Sequence, residues 1–223
     1  MGTKGCPGTS RLIMGRDHDV EACERGCSVT FTDRSRVYDK SPAFTRRQPH
    51  DDALERNICD HCGLINYENP RIITGVVATW ENKILMCRRE IEPRRGFWTL
   101  PAGFMEQNET VAEGAAREAW EEARADIEIE CLLSIYNVAR ISQVQMFYRG
   151  KMRSPDFACG PESSDVGLFD WDDIPWDELA FPTVYWALQH FKESKDRTHF
   201  APFTEPDDWR KTPGFTHLVP PSE

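Results

Sequence analysis

Twenty residues, Gly103 to Glu122, constrain this chain more than any other segment. They read Gly-Phe-Met-Glu-Gln-Asn-Glu109-Thr-Val-Ala-Glu-Gly-Ala-Ala-Arg117-Glu118-Ala-Trp-Glu121-Glu122. From Thr110 to Ala123 the composition is that of a helix, and Thr110 with Glu113 fits a capping box. At about 100° per residue, Glu118, Glu121 and Glu122 fall within an arc of roughly 100°. Three carboxylates on one stripe repel one another, so something must compensate. A hard divalent cation, Mg²⁺ or Mn²⁺, suits an all-oxygen ligand set and completes its shell with water and substrate phosphates. Gly114, Ala115, Ala116 and Ala119 keep part of the helix slim enough to pack closely on a sheet. A solvated acidic face is the plain alternative for Glu-x-x-Glu-Glu alone. The wider pattern, G-x5-E-x7-R-E-x-x-E-E, fixes six positions and is a poor candidate for chance.

The flanking sequence supplies the sheet. Ile72 to Trp80 and Lys83 to Arg88 are β-type runs separated by Glu81-Asn82, a hairpin signal. Phe97 to Leu100 predicts a short strand leading into Pro101-Ala102-Gly103. Ile127 to Ile141 and Val144 to Met152 alternate as strands, a loop covers Ser154 to Asp165, and Val166 to Phe169 is a further strand. Pro182 to Ser194 predicts a closing helix. Strands and helices mix without regular βαβ alternation, so the expected fold is α/β, a mixed sheet flanked by helices. The expected organisation is a flexible leader over 1–45, a small segment around the Cys59–Gly63 turn over 46–70, the main domain over 71–196 and an irregular Pro-rich tail over 197–223. The leader also admits a later start at Met14.

The acidic segment resembles the signature of the Nudix hydrolases, G-x5-E-x7-R-E-U-x-E-E-x-G-U, where U is a bulky aliphatic residue. It matches at Gly103, Glu109, Arg117, Glu118, Glu121 and Glu122. It departs at the final glycine, here Arg124, and at the U positions, here Ala119 and Ala125. The missing glycine puts the helix terminus in question, since a left-handed residue costs a non-glycine about 1 kcal/mol. The resemblance implies an α/β/α sandwich and metal-dependent hydrolysis of a nucleoside diphosphate linked to another moiety. It implies that Glu118, Glu121 and Glu122 hold the metals and that Arg117 and Glu109 form a supporting ion pair. The general base would come from the box, where Glu121 and Glu122 stand, or from Glu162 in a later loop.

Further segments resemble one Nudix subgroup, that of the plant chloroplast FAD and ADP-ribose pyrophosphatases, which carries an N-terminal zinc ribbon. They include Asn57-Ile-Cys59-Asp-His-Cys62-Gly63, Tyr67-Glu-Asn-Pro70, Gly96 to Gly103, Gly160-Pro-Glu-Ser163 and Ile174 to Phe181. A structural zinc site wants four tetrahedral ligands, usually from two C-x2-C knuckles. Cys59 and Cys62 supply one. About twenty residues upstream, Val37 to Phe44 contains no cysteine, and Cys23 with Cys27 has the wrong spacing. His50 and His61 are substitutes, and a degenerate, metal-free knuckle is the alternative. The implied substrates are ADP-ribose or FAD, cleaved to release AMP. The rivals are an NAD(H) pyrophosphatase or NAD-cap hydrolase, and a regulator that binds ADP-ribose without cleaving it. The Ser-Gln-Pro-Trp-Pro-Phe-Pro motif of the NAD group is absent, and regulators usually lose box carboxylates that this chain keeps.

For phosphate binding the candidates are Arg88, Arg89, Arg94 and Arg95, clustered before the box, with a solvated charged loop as the alternative. Trp98, Phe104, Tyr136 and Phe147 could stack on a base or serve the core. Among 223 residues, 27 Lys and Arg stand against 37 Asp and Glu, a net charge of −10. Such a surface argues against non-specific nucleic-acid or anionic-membrane partners. Residues 103–125 carry −4 and residues 156–178 carry −8, so the remainder is basic by two. The longest apolar run, Ile72 to Trp80, is interrupted by Thr74, Gly75 and Thr79 and is too short to span a bilayer. Without a secretory h-region the expected location is cytoplasmic. The eight cysteines are then thiols or metal ligands rather than disulfides, with Cys87, Cys131 and Cys159 as idle thiols. A homodimer is the oligomer expected by resemblance.

Overall fold

A computed structural model describes residues 43–215. Cys6, Met14, Cys23, Cys27 and nearly all of the expected leader lie outside the described residues. The chain divides into two compact units, one ending at Glu68 and one beginning at Asn69.

The first unit is a three-stranded antiparallel sheet in the order β1 (Phe44–Arg47), β2 (Arg56–Cys59), β3 (Ile65–Asn66). Phe44, assigned above to the leader, pairs with Cys59. Between β2 and β3 the Cys59–Gly63 turn closes through the Gly63 N–H donating to the Cys59 carbonyl at 2.9 Å. The Cys59 N–H in turn donates to the Leu64 carbonyl at 2.8 Å. Ile58 and Cys59 are the buried apolar side chains among its described residues.

In the second unit a seven-stranded mixed sheet is sandwiched by two helices. Its strands are β4 (Arg71–Trp80), β5 (Lys83–Arg89), β6 (Trp98–Thr99), β7 (Ala102–Phe104), β8 (Ile127–Val138), β9 (Gln143–Met152) and β10 (Ser163–Phe169). The main path runs β10-β5-β4-β9-β8, with β6 on β5 and β7 on β4. Strands β4 and β9 are parallel, and the other pairs are antiparallel. Alternation along β4 and β5 sends neighbouring side chains to opposite faces. Val76, Ala78, Leu85 and Cys87 join Ala115, Ala119 and Ala123 of α1 (Val111–Ala123) in one core. Val77, Ile84 and Met86 join Val184, Ala187 and Leu188 of α2 (Pro182–Ser194) in the other. The alanines set α1 close against the sheet, which fixes the height of its carboxylates above the strand ends.

Two expectations need correction. The strand begun at Ile127 ends at Val138, and residues 139–141 form a 3₁₀ turn closed by Ser142 at φ 51° before β9 starts at Gln143. From residue 198 to 215 the chain has little regular structure, yet it packs on the domain. Phe203 bridges Ser134 beside β8, the Phe215 side chain is buried, and the Trp186 Nε1–H donates to Thr212 Oγ1 at 2.8 Å. Among the described residues no helix is long and apolar enough to cross a membrane.

Candidate active site

The turn before α1 organises everything that follows. Thr110 caps the helix: its Oγ1 accepts from the Glu113 N–H at 3.2 Å, and Glu113 Oε2 accepts from the Thr110 N–H at 2.7 Å. Glu109, just ahead of the cap, accepts from the Glu106 N–H at 2.7 Å and from Arg117 Nε and Nη2, both at 2.9 Å. This charge-assisted fork holds the Glu109 carboxyl down at about 2. Arg117 also donates from Nη2 to the Phe104 carbonyl at 3.0 Å, and from Nη1 to Glu118 Oε1 and Glu121 Oε2, both at 2.8 Å. One guanidinium thus ties the loop, the strand end and the helix stripe together. Glu109 and Arg117 are an ion pair at 2.9 Å.

Gly103 has a steric reason. A Cβ there would lie 2.4 Å from the carboxyl atoms of Glu118, so only glycine lets that side chain cross β7. Glu118 and Glu122 are 8% and 7% exposed. Burial raises both carboxyls, Glu122 to about 8, although the Ala102 N–H bond at 3.2 Å opposes the rise. Glu121 is more exposed and pairs with Arg117. As the side chains lie, Arg117 Nη1 stands between Glu118 and Glu121, and Glu122 turns to the Ala102 amide. Among the described residues no three acidic, His or Cys side chains are gathered as a metal-holding group.

The helix ends without a glycine, contrary to the doubt raised above. Arg124 itself adopts the left-handed conformation, φ 51° and ψ 26°, and its N–H caps the Ala119 and Trp120 carbonyls. The loop before β10 then covers the helix end: the Ala158 N–H donates to the Ala123 carbonyl at 2.8 Å, and the Gly160 N–H to the Glu122 carbonyl at 2.9 Å. Glu162 follows two residues later, held by its carbonyl accepting from the Glu90 N–H at 2.8 Å. Its charge acts on both Glu118 and Glu122.

These groups line one cleft of about 1130 Å³, which contains Arg89, Gly103, Arg117, Glu118, Glu121, Glu122 and Glu162. Of the four arginines expected to grip phosphate, Arg89 alone lines it. Arg88 donates to the Gly96 carbonyl, Arg94 to the Ala180 and Leu179 carbonyls, and Arg95 to Glu90. Of the aromatics, Phe104 is half exposed in the cleft, Phe147 lines it from the core, and Trp98 and Tyr136 are core residues. The reading along the chain missed Arg140, Trp209 and Arg210, which also line the cleft. Their signal was the aromatic content of 200–215, where Phe200, Phe203, Trp209 and Phe215 do not suit a solvated tail.

The profile of the Nudix domain matches residues 69–186. The chain belongs to the Nudix family. A Nudix hydrolase of Nitrosomonas europaea superposes with a TM-score of 0.69 at 45% identity, covering 72% of this chain and 92% of that one. An ADP-ribose pyrophosphatase of Methanocaldococcus jannaschii is 28% identical over 119 residues, 52% of this chain and 69% of its own. An NAD-capped RNA hydrolase of Vibrio atlanticus is 30% identical over 123 residues, 52% of this chain and 44% of its own. The chain spans less than two thirds of several curated relatives it matches. Membership and the pyrophosphatase names of its relatives place this Nudix chain among hydrolases of phosphorus-containing anhydrides.

Proposed function

We propose that this Nudix domain hydrolyses the diphosphate linkage of a nucleoside diphosphate derivative, with ADP-ribose and FAD leading, and releases AMP. The observation that carries this reading is the convergence of Glu118, Glu121, Glu122, Glu162 and Arg89 in one cleft. The donor set fits a divalent metal: three carboxylates, two of them buried, face a cleft in which, among the described residues, Arg117 is their one direct ion-pair partner. Glu118, Glu121 and Glu122 would hold Mg²⁺ or Mn²⁺, which when bound supplies charge neutralisation of the diphosphate and a more acidic water. Arg89 binds a phosphate oxygen, and Arg117 holds the stripe in register through Glu109. Glu162, fixed above the stripe by its loop, accepts the proton of the attacking water. The P–O bond to the bridging oxygen breaks, leaving AMP and a phosphorylated partner.

The NAD-directed alternative is favoured by the likeness to the Vibrio atlanticus protein, against which stands the absent Ser-Gln-Pro-Trp-Pro-Phe-Pro motif. The first unit is read as zinc-ribbon-like, with Cys59 and Cys62 as one knuckle that either holds zinc or is a degenerate, metal-free form; among the described residues no third ligand gathers with them. Purified protein with Mg²⁺ or Mn²⁺ is expected to convert ADP-ribose or FAD to AMP. Glu122→Gln is expected to lower kcat by about 100-fold or more. Absence of turnover with any of a panel of nucleoside diphosphate derivatives, ADP-ribose, FAD, NADH, NADPH and coenzyme A among them, would defeat the hydrolase reading.

A further inference from the structure

The cleft extends well beyond the carboxylates. Strands β4 and β9 begin, and β5 and β8 end, at the same end of the sheet, as the pairings Arg71 with Gln143, Val138 with Gln143, and Trp80 with Lys83 show. Arg89 and Glu162 stand at the β5–β10 side. Arg140 follows β8, three strands away along the order β5-β4-β9-β8. At a spacing of about 4.8 Å per strand the cleft runs about 14 Å across the sheet. Its second end is closed by the C-terminal segment, where Glu205 accepts from the Asn137 N–H at 2.9 Å.

That end holds two arginines against one carboxylate, Glu205, which is engaged with the Asn137 N–H. The guanidinium carbons of Arg140 and Arg210 lie 5.6 and 4.9 Å from the centroid of one indole, that of Trp209. Both arginines line the cleft. Among the described residues neither has a carboxylate within ion-pair distance, and the nearby Asp208 is engaged with Lys211 at 2.5 Å. In a chain of net charge −10, two guanidiniums outnumber the one cleft carboxylate beside them, Glu205, and share one aromatic platform. Trp209 acts here as a support that orders two planar cations, not as a free face for a nucleobase. Ordered guanidinium forks match the oxygens of a phosphate.

We infer that Arg140 and Arg210, braced on Trp209, form a second anion subsite that selects nucleoside diphosphate derivatives bearing a further phosphate monoester on a ribose. The inference rests on the hydrolase reading and narrows it: ADP-ribose and FAD, which lack that phosphate, are the poorer substrates. The specificity residues come from the turn after β8 and from the C-terminal segment, both outside the acidic signature.

The test compares NADPH with NADH and coenzyme A with dephospho-coenzyme A, each pair differing by one ribose phosphate. Turnover with Mg²⁺ and equilibrium binding by calorimetry are measured for the wild type, Arg140→Ala/Arg210→Ala and Arg140→Lys/Arg210→Lys. The expected result is that in at least one pair the phosphorylated member is preferred by about tenfold in kcat/KM and in Kd. The ratio collapses in the alanine variant and is partly rescued in the lysine variant. Both side chains are exposed, and a thermal melt confirms that each variant is folded. Turnover without preference, or an equal loss for both members of a pair, overturns the subsite while leaving the hydrolase reading intact. Tighter binding of the phosphorylated member without turnover of any of the four, of ADP-ribose or of FAD supports the subsite and overturns the hydrolase reading. Neither binding preference nor turnover of any of these six overturns both.

Discussion

Gly160 offers the sharpest perturbation of the candidate active site because its constraint is steric and its neighbour is backbone. An alanine Cβ at this position would lie 1.7 Å from the Glu121 carbonyl oxygen and 2.8 Å from its carbonyl carbon. No side-chain rotation relieves that overlap, so loop and helix end must part by roughly 1.5 Å to reach ordinary contact. Two hydrogen bonds span the gap, from Gly160 to the Glu122 carbonyl and from Ala158 to the Ala123 carbonyl. Both satisfy carbonyls that the end of a helix leaves without partners. At about 1 kcal/mol each, their loss predicts a destabilisation of about 2 kcal/mol and a Tm lower by about 4–8 °C for a domain of this size. The larger effect is on chemistry. Glu162 lies two residues on, and displacing a reacting group by about 1 Å is expected to cost about 100-fold in kcat. Steady-state kinetics on ADP-ribose and a thermal melt of Gly160→Ala, read beside Glu162→Gln, supply the test. A lowered Tm with unchanged kcat would refute the link between this contact and the placement of Glu162. Unchanged values of both would refute the steric argument itself.

Three further outcomes are expected. Glu109 sits at about 2 when folded against an ordinary 4.5, so the stability it confers is complete above pH 4.5 and is lost as pH falls toward 2. Glu109→Gln should therefore flatten the acid limb of an unfolding titration across that window, and an unaltered limb would count against the Arg117 fork. Burial pushes the Cys87 thiol up while Cys159 is exposed, so iodoacetamide at pH 8 should modify Cys159 in the native protein and Cys87 only after denaturation, as peptide mass spectrometry reads it. Thr212→Val leaves the buried Trp186 indole N–H without its acceptor, which should cost about 1–3 kcal/mol and lower the Tm measurably; an unchanged melt would show that the C-terminal segment contributes little to the fold.

What was legible along the chain follows from how local each cause is. The capping box at Thr110 and Glu113, the Glu81-Asn82 hairpin and the Pro182 helix start depend on residues within one turn or one loop, and they appear where their spacing put them. The end of β8 at Val138 was not legible, because the apolar residues Val138, Ala139 and Ile141 continue a strand-like pattern through what is a 3₁₀ turn. Arg124 shows a local rule overridden: the cost of a left-handed arginine is met by two backbone bonds to its cap N–H and by its own Nη1 donating to the Trp120 carbonyl at 3.3 Å. All four arginines before the box donate to loop carbonyls or a neighbouring carboxylate, Arg89 to the Pro93 carbonyl at 2.9 Å, and Arg89 differs in lining the cleft, a distinction invisible in a run of like charges.

The C-terminal segment carries the most instructive failure. Its prolines and lack of period predict a tail, and its backbone is indeed irregular, but packing does not require regular backbone. Phe203 stacks on His190 with ring centroids 4.4 Å apart, and His190 Nδ1 lies 2.8 Å from the Tyr136 hydroxyl in the core. An aromatic side chain every several residues is enough to pin such a segment, because each burial is worth on the order of 2 kcal/mol without any contribution from its neighbours. The same anchoring delivers Trp209 and Arg210 to the cleft. In this Nudix domain the acidic signature on α1 is local and therefore readable, whereas the residues proposed to choose the substrate arrive from a distance and become visible only once the segment is seen docked.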